Sequence, residues 1–322
     1  MRRSLSGRIA GAPITWGVCE VPGWGHQMSA ERVLGEMAAI GLRATELGPD
    51  GFLPMDPAGL RDVLRSSGLA LVGGFVPIVL HVPSVLRSEL ARMSRQADLL
   101  AAAGAHVVVL AATTGSTGYE RSHAIDEDSW RALVDGLDAA SADATSHGLV
   151  ATLHPHRGTV VERPDEVDRL LERSSIPLCL DTGHIAIGGA DPVTVAIKAA
   201  GRVAHVHLKD VSMELSEGVR SGRLSYQEAV GMGMYRPLGR GDLDIAAVVT
   251  TLERSGYDGW YVLEQDTVIA AESATDGGPI ENARASYEFL LELASVLDGQ
   301  GPERDAGDAG VRAGRGSRGV AQ

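Results

Sequence analysis

Short apolar runs rich in β-branched residues alternate along the chain with stretches whose apolar positions recur every three or four residues. The runs RIAGAPITW (8–16), ATELG (44–48), ALVGGFVPIVL (70–80), HVVVLAAT (106–113), VATLHP (150–155), PLCLDTGH (177–184), AHVHLKD (204–210) and YVLEQD (261–266) read as strands. A helical pattern follows each. Past GDLD, residues Ile245, Val248, Val249 and Leu252 form an amphipathic stripe, with Asp242 as the expected N-cap and Gly256 as the stop. Asp191 followed by Pro192 reads as an N-cap and first helical residue. Ser29 reads as the cap of a helix ending near Gly41, and Leu290, Leu293 and Leu297 share one side of the last helix.

Strict alternation of strand and helix predicts a parallel sheet. Eight such units over roughly 290 residues fit an α/β fold of the (β/α)8 TIM-barrel type. A doubly wound sheet would carry a Gly-rich phosphate loop after the first strand, and GAPITWG has no GxGxxG. The expected organisation is one barrel domain over 1–298. Residues 299–322, rich in Gly, Ala, Arg and Asp, read as a disordered, solvated tail.

Composition narrows the function. The 322 residues are 44% hydrophobic, enough for a large core, and the formal net charge is −13. A surface that acidic repels phosphate backbones, which argues against nucleic acid as a partner. Only Cys19 and Cys179 occur, with no CxxC pair. The start, MRRSLSGRIAGAPITWG, lacks the apolar core of a signal peptide. A reducing, cytoplasmic setting is expected, and no apolar run approaches the ~18 residues of a membrane span.

In a parallel barrel, outward strand residues pack under helices and inward ones near the C-terminal ends face the active-site mouth. Period-two alternation turns inward Thr152, His154 and, past the strand end, His156. It does the same for Cys179 and Asp181, for His205, His207 and Lys209, and for Val262, Glu264 and Asp266, while the second strand adds Glu46. Closure then places His154, Asp181, His207 and Glu264 on one ring. A lone inward histidine is more often a hydrogen-bonded structural residue. Four such groups at matching strand ends are costly to bury without a cation. Mixed N and O donors suit Mn2+, Co2+, Fe2+ or Zn2+ better than Ca2+. Lys209 is either an electrophile for a carbonyl oxygen or a counter-ion of Glu264 or Asp181. His184, in the loop past Asp181, contacts substrate or caps the next helix. His156 with Arg157, Glu46 and Trp16 complete the candidate substrate contacts, Trp16 and Trp24 being equally ordinary as core residues.

The same residues carry a family resemblance. CLDTGH, HVHLKD and YVLEQD resemble the sugar isomerase/epimerase superfamily with the xylose-isomerase-like barrel. APITWG, ELGPDGFLP, HPHRGT, PLGRGDLD and GYDGWYVLEQDT are similar to the inosose dehydratases of myo-inositol catabolism, over nearly all of the chain except the tail. The resemblance implies a divalent metal, Mn2+ or Co2+ first, with Zn2+, Fe2+ or Mg2+ compatible. Of the superfamily's Glu, Asp, His and Glu ligands, Asp181, His207 and Glu264 match the last three, and the place of the first falls on His154. The arginine that many sugar epimerases carry after the third ligand is not evident, and Lys209 is the nearest cation.

Those departures favour dehydration over epimerisation. The implied reaction removes water from a keto-cyclitol, scyllo-inosose (2-keto-myo-inositol). Glu264 is the expected base, His154 or His156 the acid, and Lys209 with the metal the enolate stabiliser. The alternatives are a keto-sugar isomerase or epimerase, a C-deglycosylating lyase subunit acting on a 3-keto-glycoside, and a non-catalytic sugar-binding module. The expected partner is a small keto-cyclitol or keto-sugar, and a homo-oligomer is compatible.

Overall fold

The computed structural model describes residues 3–116, 118–120, 123–271 and 278–299. All but the first residue of the expected tail lies outside them. Ten strands occur among the described residues: β1 (Ile9–Gly11), β2 (Ala44–Glu46), β3 (Ala70–Ile78), β4 (Val107–Ala112), β5 (Val150–Leu153), β6 (Leu178–Asp181), β7 (Val203–Leu208), β8 (Asp210–Val211), β9 (Tyr235–Arg236) and β10 (Tyr261–Leu263). Strands β1 to β7 and β10 close into a barrel, each parallel to its neighbours, and β8 pairs antiparallel with β9 outside it.

The alternation of residues sorts the two faces of the wall. Leu153, Leu178, Leu180, Val206, Leu208 and Leu263 point outward into the shell shared with the helices. Burying each such side chain stabilises the fold by about 1.5–3 kcal/mol. Small inward residues, Ala10, Ala44, Val72 and Val262, fill part of the narrow interior, and Val107, Val109 and Cys179 another part.

Three local readings change. The first run supplies a strand only over Ile9–Gly11, because Pro13 has no N–H for the ladder and Pro13–Trp16 coils into a 3-10 turn. The helix at Ile245–Arg254 is capped by Asp244, whose side chain accepts from the Ala247 N–H, and not by Asp242. The cause is Asp210: its carboxylate accepts from the N–H groups of Gly239, Gly241 and Leu243 and winds that turn tightly. Asp242 instead accepts from the Met213 N–H. The third change is an insertion. Between β8 and β9 the chain forms helices Met213–Arg220 and Tyr226–Gly231, with a small core of their own around Trp24, Val219, Tyr226 and Tyr235. Ser29 and Asp191 cap their helices as expected. No helix among the described residues is long and apolar enough to cross a membrane.

The seam between first and last strands is fastened by Arg8. Ile9 lies opposite Tyr261 across that seam. The buried guanidinium of Arg8 donates to the carbonyls of Tyr257 (3.3 Å) and Gly259 (2.9 Å) and to Glu253 Oε1 (2.6 Å). Arg8→Met should therefore lower unfolding stability by about 3–5 kcal/mol, the cost of stranding one partner of a buried pair. Urea denaturation followed by circular dichroism measures it; a loss under about 1 kcal/mol contradicts the role.

Candidate active site

The site assembles at the C-terminal ends of β5, β6, β7 and β10. His154 follows β5 directly, and its N–H donates to the Leu110 carbonyl (2.8 Å), continuing the ladder by one residue. The HPHRGT loop then turns back. Thr159 ties to the His156 carbonyl through both N–H (3.2 Å) and Oγ1 (2.8 Å). Gly158 has φ +74°, and a Cβ there would sit 2.4 Å from the Tyr119 carbonyl oxygen. Only glycine lets the loop rest on this backbone. The contact sets the Tyr119 ring 4.4 Å from the His156 ring, centroid to centroid.

Asp181 ends β6 and caps the helix Thr182–Gly188. Its Oδ1 accepts from the His184 N–H (2.8 Å), which places His184 in the helix's first turn rather than in a loop. Oδ2 is left to the site, 3.1 Å from His154 Nε2, 3.4 Å from Lys209 Nζ and 3.6 Å from His207 Nδ1. His207 lies opposite Asp181 in the ladder. Its Nδ1 is 3.3 Å from Glu264 Oε2, and its Nε2 donates to Glu46 Oε1 (3.0 Å). Lys209 Nζ contacts Asp266 Oδ1 (2.8 Å), Glu264 Oε2 (3.0 Å) and His184 Nε2 (3.1 Å). It is thus a counter-ion to three carboxylates while also facing a cavity of about 70 Å³, shared with Phe75, Tyr119, His156, Glu264 and Asp266. Tyr226 extends the network, donating to Asp266 Oδ2 (2.6 Å) and sharing a bond with the Tyr235 hydroxyl (2.7 Å).

Burial and charge set the protonation. Desolvation pushes the Glu264 carboxyl up to about 7, against the pull of His207 and Lys209. Desolvation opposes charge on Lys209 too, yet Asp181, Asp266 and Glu264 hold its pKa well above the ordinary lysine range. His154 is driven down to about 4 by burial, which outweighs its bond to Asp181. His156 is held well below the usual range, by burial and then by His154 and Lys209. Both imidazoles are neutral near pH 7. His156 Nδ1 donates to the Arg157 carbonyl (2.7 Å), so its Nε2 is an acceptor.

The donor atoms of Asp181, His207 and Glu264 lie within 4.8 Å of one another; His154 groups with Asp181 and His184 and also with Cys179 and His207. The buried His207 Nδ1 makes no hydrogen bond, and it points between two carboxylates. A proton or a cation there would satisfy both, so the donor set fits a divalent metal.

Other candidates fall elsewhere. Glu46 lies under the site, 3% exposed, between His205 and His207. The Arg157 side chain turns away to Glu162 (2.6 Å) and the Glu120 carbonyl (2.8 Å). Trp16 is core, its indole N–H on Glu36 (2.7 Å), and Trp24 lines the cavity instead. Asp266 was readable from its two-residue spacing beyond Glu264. Tyr226 and Tyr235 had no such signal, because an insertion delivers them. Nor had Tyr119, Phe75 and Glu20, which also line the cavity.

The family model of the xylose isomerase-like TIM barrel matches residues 34–293. The chain belongs to this family. Within it, similarity is high to the inosose dehydratase of Geobacillus kaustophilus (strain HTA426), 34% identical over 303 residues, spanning 90% of this chain and 96% of that protein. The rhizopine catabolism protein MocC of Rhizobium meliloti is 32% identical over 312 residues, 94% of each chain. Among solved structures, an L-ribulose 3-epimerase superposes with TM-score 0.66 at 18% identity, over 92% of this chain and 99% of its own. The IOLI protein with a bound zinc atom gives 0.65 at 13% identity, over 90% and 98%. At that identity the structures show the shared barrel and nothing finer.

Gly158→Ala tests the loop built on Tyr119. A side chain there forces the loop off the Tyr119 backbone, so stability should fall by about 1–3 kcal/mol. The His156–Tyr119 contact should open with it. Thermal melting and Tyr119 environment by NMR report both; an unchanged spectrum contradicts the packing.

Proposed function

We propose that the chain is a hydro-lyase acting on a keto-cyclitol, an inosose as in the names of its relatives, with scyllo-inosose the isomer implied by the sequence resemblance. The inosose dehydratase relatives support the reaction class, and their similarity spans the whole barrel. The observation that carries the chemistry is the pairing of Glu264 with Lys209, both buried and 3.0 Å apart at one cavity.

The substrate is a β-hydroxy ketone. The Lys209 ammonium receives the keto oxygen, where negative charge develops as the α-carbon loses its proton. Glu264, beside Lys209 at the cavity, is the carboxylate placed to take that proton. The C–H electron pair becomes the enolate, then the new double bond as the β C–O bond breaks. The proton passes from Glu264 to the departing hydroxide and leaves as water, restoring the carboxylate. This assignment replaces an imidazolium acid, since burial keeps His154 and His156 neutral. His156 Nε2 accepts a substrate hydroxyl, and His154 steadies Asp181. Asp181, His207 and Glu264 would hold the divalent cation, Mn2+ or Co2+ by preference, and it would supply Lewis-acid polarisation of the keto oxygen.

The cavity at this pair has a volume of about 70 Å³. The Tyr119 hydroxyl donates to Glu20 (2.7 Å), and both residues line it.

Purified protein with Mn2+ or Co2+ should convert scyllo-inosose to a conjugated enol seen by ultraviolet absorbance. No product with any divalent metal rejects the substrate, and epimer formation without water loss selects the isomerase reading. Glu264→Gln should lower kcat by about 10²–10⁴-fold. Lys209→Met should do the same in protein whose folding circular dichroism has checked; wild-type turnover in either variant removes that residue from the mechanism.

A further inference from the structure

Glu46 has a geometry unlike a substrate contact. It comes from β2, yet it meets β7, from which β1 and β10 separate it in the barrel wall. Its side chain therefore crosses the interior. One oxygen, Oε1, accepts from His205 Nε2 (2.8 Å) and from His207 Nε2 (3.0 Å). The neighbouring inward residues are Ala10, Ala44, Val72 and Val262. A carboxylate among them is costly to bury unless compensated. Two imidazole N–H groups compensate it.

We infer that Glu46 is a positioning residue that fixes the His207 proton on Nε2 and so presents Nδ1 to the cation held with Asp181 and Glu264. This rests on the cation-binding part of the function proposed above. The nitrogen hydrogen-bonded to a carboxylate oxygen at 3.0 Å carries a hydrogen, so a cation can be ligated only through Nδ1, in exchange for any proton held there. That nitrogen, Nδ1, is buried, makes no hydrogen bond and lies 3.3 Å from Glu264 Oε2. His205, two residues earlier on the same strand face, holds the same Glu46 oxygen. Losing such an outer carboxylate typically weakens metal binding 10–100-fold.

The test uses the full chain, stripped of metal, with Glu46→Leu and Glu46→Gln beside the wild type. Mn2+ titration calorimetry gives affinity, and long-range ¹⁵N–¹H NMR of the histidines gives the proton's position. Glu46→Leu should weaken Mn2+ binding by about 10–100-fold, and His207 should lose its persistent Nε2–H. Glu46→Gln, whose amide oxygen still accepts, should stay within a few-fold and keep the Nε2–H. Wild-type affinity in Glu46→Leu overturns the inference, as does a wild-type His207 lacking a proton on Nε2. A raised KM with unchanged Mn2+ affinity also overturns it, in favour of substrate contact. If the wild type binds no divalent cation, the cation reading fails, and the Nε2–H signal separately decides whether Glu46 orients His207.

Discussion

A closed parallel barrel has no edge and only a narrow interior, so every inward side chain near its C-terminal end must share one small volume. Apolar groups can share it freely, but charged ones must balance. Here Asp181, Glu264 and Asp266 converge on the ammonium of Lys209, and Glu46 is met by two imidazoles below them. Each buried charge is tolerable only because its partners are in place. The arrangement of the mouth, the protonation of the histidines and the donor atoms left unpaired all follow from that balance.

Asp181 shows how one residue joins fold and site. Its first oxygen starts the helix after β6, and its second is the point where His154, His207 and Lys209 meet. The helix start fixes the carboxylate's rotation, and the site inherits a rigid acceptor. Lys209 plays the matching part for charge. Held by three carboxylates, it is a fixed cation at the cavity rather than a mobile surface lysine. Preorganised charge of this kind is what stabilises an enolate without reorganisation during reaction.

The barrel and its inward residues were legible because strand alternation is local. Leu178 and Leu180 out with Cys179 and Asp181 in needs only a period of two, and the same rule places His207 and Glu264. Protonation was not legible. An imidazole two residues past another looks like a candidate acid until burial is known, and burial holds His154 and His156 neutral. Nor could spacing say that Glu46 reaches across the barrel to β7, or that Trp16 turns to Glu36 while Trp24 lines the cavity.

By itself, then, the sequence determined the eight strand-and-helix units, the inward set, and the resemblance to keto-cyclitol dehydratases, all of which depend on patterns within a few residues or on matching blocks. The tertiary structure decided which atom of each residue faces which partner. It brought in Tyr226 and Tyr235 through an insertion, added His184 and Cys179 to the donor atoms around His154, and set Lys209 among three carboxylates. Those outcomes depend on distances between strands far apart in the chain, which barrel closure alone establishes.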